Sequence, residues 1–197
     1  MNKIFVDLEY LCPSVSDEVN LIVTKVLKTK FNYTFDQDTE DEEDYLEYLD
    51  KQDMVKELMF NSKETYYTNI LNFKELYNID HIDPIRASYL FNNYSDICFV
   101  FYYNTLKELN AKNDLIKKVF GDISILPIPY RMNDQRVNKA EFIKEICKLD
   151  DLSDCLLLDN SYKSLEEWYL QGGEIDENSS EEIKFLKDNI ELYVKKK

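Results

Sequence analysis

Histidine occurs once in this chain, at His81, and the four cysteines, Cys12, Cys98, Cys147 and Cys155, never come as a close pair. A structural zinc site needs four nitrogen or sulfur ligands, so none is expected. Three of the cysteines sit inside apolar runs (LCP, DICFVF, DCLLLD) and read as reduced, buried small hydrophobes. Glycine and proline are scarce, three and four residues, while Asn, Ile, Lys and Tyr abound, the mark of an AT-rich coding genome. No apolar run approaches the length that crosses a bilayer, and no basic-then-apolar stretch opens the chain; a soluble, cytoplasmic protein with no membrane partner is expected. Cations are also short, 24 Lys and Arg against 39 Asp and Glu, for a net charge of -15. That field repels phosphate backbones, so a nucleic-acid partner is not expected.

What is present is the material of a core. Hydrophobic residues make up 44% of the 197 positions and aromatics 14%, with 15 Tyr and 11 Phe. A chain of this length suits one domain carrying an insertion better than two full domains.

The run KIFVD, residues 3–7, is a short apolar stretch ending in acid, as a buried strand does where its C-terminal end meets solvent. After Pro13 and Ser14, Val15, Val19, Ile22, Val23 and Val26 recur at helical spacing. Residues 36–53 hold ten acids and one lysine and run into an amphipathic pattern through Leu46, Leu49, Val55 and Leu58. Residues 61–92 read as further helix, broken near Pro84. The period changes at DICFVFYYN, where Ile97 to Tyr102 form a second strand. Thr105 to Glu108 has the form of a capping box, and Leu106, Leu109, Leu115, Ile116 and Val119 extend that helix. A third strand at 122–129, a helix at 138–149, a fourth strand at CLLLDN and a short helix stopped by Gly172 and Gly173 follow. Alternation of strand and helix predicts a parallel sheet flanked by helices, an α/β, Rossmann-like fold. Residues 1–32 and 93–197 form its core, and 33–92 a mostly helical insertion.

In such a sheet the site lies at the C-terminal strand ends, and Asp7 and Asp159 both stand there. Two adjacent carboxylates repel unless a cation sits between them, and Mg²⁺ is the natural one, held by few protein oxygens while keeping positions for a phosphate. An aspartate there can also attack phosphorus, and a carboxyl two residues on can act as acid and then base.

These segments, in this order, resemble the haloacid dehalogenase (HAD) superfamily of phosphatases, nearest its small nucleotidase-like and phage-type members. The likeness runs from Lys3 to about Gly173, with the middle matching as a cap insertion. It rests on IFVDLEYL for the family's Asp-x-Asp strand, on VNKAEFIKEI for its lysine, and most specifically on CLLLDNSYKSLEEWYLQGG for its last motif. The resemblance implies Asp7 as nucleophile, Glu9 as general acid and base, and Lys139, with Lys144 as fallback, as the phosphoryl-neutralising lysine. It implies a Mg²⁺ site of Asp7, Glu9, Asp159 and Asn160. Tyr102, Asn104 and Thr105 fall where the second motif binds substrate. Four positions depart from the family pattern: Glu9 replaces an Asp, Tyr10 a Gly, Tyr102 a Ser or Thr, and Asn160 a frequent Asp. The function implied is hydrolysis of a small phosphomonoester, a nucleoside monophosphate among them, with insertion aromatics such as Tyr45, Tyr66 and Phe73 available to stack on a base. The alternative is a catalytically degenerate HAD-like protein whose acidic segment 36–53 binds a basic protein partner. Trp168 reads as core, sharing a helical face with Leu165.

Overall fold

The computed structural model describes residues 3–15, 72–176 and 187–190, together with positions 21, 28, 51 and 184. The strands are β1 (Lys3–Asp7), β2 (Ile97–Tyr103), β3 (Ser124–Pro129), β4 (Arg131–Met132), β5 (Gln135–Arg136), β6 (Cys155–Leu158) and β7 (Glu174–Ile175). Five of them form one sheet in the order β3-β2-β1-β6-β7, and every neighbouring pair is parallel. The chain therefore walks outward from β1 through β2 to β3, then returns past β1 to β6 and β7. That reversal puts the switch point of strand order between β1 and β6.

β1 and β6 are apolar almost throughout because neighbours cover both of their faces: β1 is buried from Ile4 to Asp7, and all four residues of β6 are buried. The register Val6↔Leu158 ends both strands at the same level. The acids that follow, Asp7 and Asp159, thus emerge side by side. Phe5, Phe99, Phe101, Leu157 and Leu158 are fully buried in the middle of the sheet. Each such side chain contributes about 1.5–3 kcal/mol relative to exposure.

Among the described residues, the helices that flank the sheet strands are α1 (Phe73–Leu76), α2 (Pro84–Asn93), α3 (Leu106–Phe120), α4 (Lys139–Ile146) and α5 (Tyr162–Leu170). The last four start on caps the sequence provides: Asp83 ahead of Pro84, Thr105, Asn138 and Ser161 each accept a backbone N–H of their own first turn. α3 stops at Gly121, whose φ of 73° places it in the left-handed region. α5 stops at Gly172 and Gly173, and the second glycine has a packing reason. A Cβ there would lie 2.2 Å from Nε1 of Trp168. That indole is fully buried and meets the Phe5 ring edge-on at 5.6 Å between centroids, so Trp168 is core, as its helical spacing with Leu165 indicates.

Two compact units divide the chain, one of Met1–Pro13 with Phe73–Lys197, the other Ser14–Asn72. Residues 73–92 therefore lie in the unit that holds the sheet, and α2 leads directly into β2. Residues 33–71 of the expected insertion, and the acidic segment 36–53 apart from Lys51, lie outside the described residues. All four cysteines are free; Cys12, Cys98 and Cys155 are buried and Cys147 is partly so. Among the described residues no helix is long and apolar enough to cross a membrane.

Candidate active site

The centre of the site is a lysine between two acids. Lys139, the first residue of α4, donates from Nζ to Oδ2 of Asp7 at 2.6 Å and to Oδ2 of Asp159. All three are buried: 4% of Asp7, 3% of Asp159 and 1% of Lys139 is exposed. The other oxygen of each carboxylate accepts a local backbone N–H, Glu9 N at 2.8 Å for Asp7 and Ser161 N at 2.8 Å for Asp159. These short-range bonds fix both side chains at the strand ends. Burial pushes the Asp7 carboxyl up to about 7; Lys139 opposes that shift, and Asp159 and Glu9 add to it. Lys139 is itself raised, because the charges of Asp159 and Asp7 outweigh its burial. Buried ionic clusters of this kind add little net stability. Their position at a switch point, with a strongly perturbed carboxyl, makes them the candidate functional site.

A second lysine organises Glu9. Lys112, on α3, is 2% exposed and contacts Oε1 of Glu9 at 3.0 Å, Oε1 of Glu108 at 2.9 Å and the carbonyl oxygen of Tyr102 at 2.8 Å. The Tyr77 hydroxyl donates to the same Glu9 oxygen at 2.8 Å, and the Tyr77 ring lies 4.8 Å from the Lys112 ammonium. Burial would raise Glu9, but Lys112 and the Tyr77 hydroxyl outweigh it and hold the carboxyl down at about 2. Glu108 works at both ends: Oε1 faces Lys112 while Oε2 accepts the Asn104 N–H at 2.9 Å, and its own N–H is capped by Thr105 at 3.1 Å. The capping box expected at 105–108 is thus half formed, since Glu108 reaches Asn104 rather than the cap residue itself.

Three of the four departures from the family pattern are tied together on the far side of Glu9. The Asn160 amide donates to the Glu9 carbonyl at 3.2 Å and accepts from Arg86 at 3.2 Å. Arg86 also donates to the Tyr10 carbonyl at 2.9 Å and lies over the fully buried Tyr10 ring at 5.1 Å. The fourth, Tyr102, donates its hydroxyl to the Val137 carbonyl at 2.7 Å and sets its ring 4.9 Å from the Lys139 ammonium. Its hydroxyl is engaged with backbone, not turned toward Asp7.

Of the residues singled out in the sequence, the structure brings Asp7, Lys139 and Asp159 into direct contact, with Tyr102 against Lys139. Glu9 and Asn160 border that trio through the backbone, their side chains directed at Lys112 and Arg86. Asn104 and Thr105 serve the start of α3. Lys144 lies with Glu141, Glu145 and Lys148 along a surface groove away from this centre. Lys112 and Arg86 were not singled out, Glu108 was read only as part of a capping box, and Tyr77 only among the aromatics of the expected insertion. The one sequence signal was the spacing of Glu108 and Lys112, four apart on the buried side of α3, where Leu106 was expected but is 74% exposed.

The donor set suits a hard divalent cation: two carboxylates converge on a single cationic atom, and the second oxygen of each accepts a backbone N–H. Among the described residues no three His, Cys, Asp or Glu side chains form a larger group of ligands. No family model, no curated protein and no solved structure matches the chain, so its fold and site stand on the geometry above.

Proposed function

We propose that this chain is a HAD-like, Mg²⁺-dependent phosphatase acting on a small phosphomonoester, with a nucleoside monophosphate as the first substrate to try. The observation that carries the reading is the Asp7–Lys139–Asp159 contact at the ends of β1 and β6. The HAD-like assignment is supported by the β3-β2-β1-β6-β7 order, with the two acids flanking the switch point and the lysine entering from α4.

In this reading an Asp7 oxygen attacks phosphorus, the bond to the leaving oxygen breaks, and an aspartyl-phosphate forms that water hydrolyses to restore Asp7. Lys139 faces the transferring group and offsets its charge. Asp7 and Asp159 would hold Mg²⁺, which supplies charge neutralisation to the phosphoryl oxygens. The resemblance gives the acid and base role to Glu9, two residues from Asp7, where Lys112 and the Tyr77 hydroxyl hold its carboxyl as the ion. Phosphate release from a panel of phosphomonoesters, nucleoside monophosphates included, is expected from wild type with Mg²⁺ and not from Asp7→Asn. Absent or Asp7-independent release would sink the proposal.

One specific observation favours the second reading, a degenerate HAD-like protein that binds a basic partner. Glu9 is held as an ion by Lys112 and Tyr77, and Tyr102 packs on Lys139. That reading expects no turnover, and loss of partner binding when the acids of residues 38–44 are neutralised.

A further inference from the structure

We propose that Lys139 is a built-in competitor for the divalent cation: its ammonium fills the position between Asp7 and Asp159, so the free protein binds Mg²⁺ weakly. The inference rests on the phosphatase reading for the identity of the metal. The charge count around the strand ends carries it. Three acids, Asp7, Glu9 and Asp159, follow the strand ends, but the Glu9 side chain is turned to Lys112 at 3.0 Å, and Lys112 also balances Glu108 at 2.9 Å. Two carboxylates remain, and Lys139 already bridges them.

A divalent cation entering beside that ammonium meets like charge at contact distance in a buried site, where screening is poor. The lysine is also held from behind. The Tyr102 ring lies 4.9 Å from Nζ, and its hydroxyl is tied to the Val137 carbonyl at 2.7 Å. The Lys139 backbone N–H is fixed to Glu167 Oε2 at 3.2 Å, and Glu167 is in turn paired with Arg136. With root and head both held, the ammonium leaves the carboxylates only when something draws it off, and the negative oxygens of a phosphoryl ligand are suited to do so. Metal and phosphoryl ligand then enter together, and the free protein holds no idle cation.

The test is calorimetric titration of Mg²⁺ alone into wild type, Lys139→Gln, Lys139→Met and Lys139→Gln/Asp159→Asn, with folding of each checked by its melting curve in EDTA. The single variants are expected to bind Mg²⁺ about tenfold or more tightly than wild type, and the double variant to lose that gain. Single variants that bind no more tightly than wild type, or not at all, overturn the proposal. Should removal of the buried cation unfold both single variants, the wild-type titration decides: weak, millimolar binding supports competition, and tight binding overturns it. A protein without phosphatase activity would end the functional reading, while the affinity comparison would still stand or fall by itself.

Discussion

At Lys112 one ammonium serves two carboxylates, Glu9 and Glu108, and a backbone carbonyl. Lys112→Met would keep the volume and remove the charge, leaving buried Glu108 unpaired; breaking a buried ion pair from one side costs about 3–5 kcal/mol. Urea denaturation should show a loss of that order, and a loss under about 1 kcal/mol would mean the carboxylates find other partners. Glu9 gives a pH signature in the same network. Its carboxyl is held at about 2 against an ordinary value of 4.5, so the folded state favours the ion. The contribution is complete above 4.5 and is lost as pH falls through about 2. With EDTA present, the difference in melting temperature between wild type and Glu9→Gln should shrink over that interval; a constant difference would place Glu9 outside the ion pair. Asp7 and Asp159 were legible because a strand end is a local event that the chain itself marks, whereas Lys139 came forward only through the family resemblance. The Lys112 cluster was not legible, since its contacts join residues 9, 77, 102, 108 and 112, and only the 108–112 spacing is written in one helix.

The long apolar runs declared themselves among the elements: β1, β2 and β6 follow KIFVD, ICFVFYY and CLLL closely. Two elements did not. β7 is two residues long and exists through its pairing with β6, a tertiary event with no local period. The β4–β5 hairpin turns on Asn133 and Asp134, with φ of 52° and 63°. Adjacent Asn and Asp are a turn signal of this kind, so the hairpin was readable and was missed. α3 shows the opposite error. Leu106 was counted on its apolar face, yet the buried side carries Glu108 and Lys112, drawn inward by Glu9 and the strand end. The α5–β7 junction gives a prediction at this scale. Gly173→Ala would drive a methyl into the buried Trp168 ring, and overpacking of that kind costs about 1–3 kcal/mol. A chemical-denaturation midpoint equal to wild type would mean that the indole moves aside without cost.

For the whole molecule, the sheet order places one acid at the end of β1 and another just after β6, residues 7 and 159, at the same level. A single lysine, Lys139, from the connection preceding β6 closes the cluster. The sequence announced the members of this arrangement, while the parallel register announced their adjacency. A net charge of -15 leaves the average surface repulsive to anions, so the phosphorylated substrate proposed above would have to be received by local cations, and Lys139 is the cation that contacts Asp7 among the described residues. The central claim is that Asp7 is a nucleophile toward phosphorus, and one measurement addresses it most directly: Mg²⁺-dependent phosphate release from nucleoside monophosphates by wild type and by Asp7→Asn, with both proteins shown to fold. The account predicts turnover by wild type that falls about a thousandfold or more in the variant; equal release by the two proteins, or none from wild type across the panel, would contradict it.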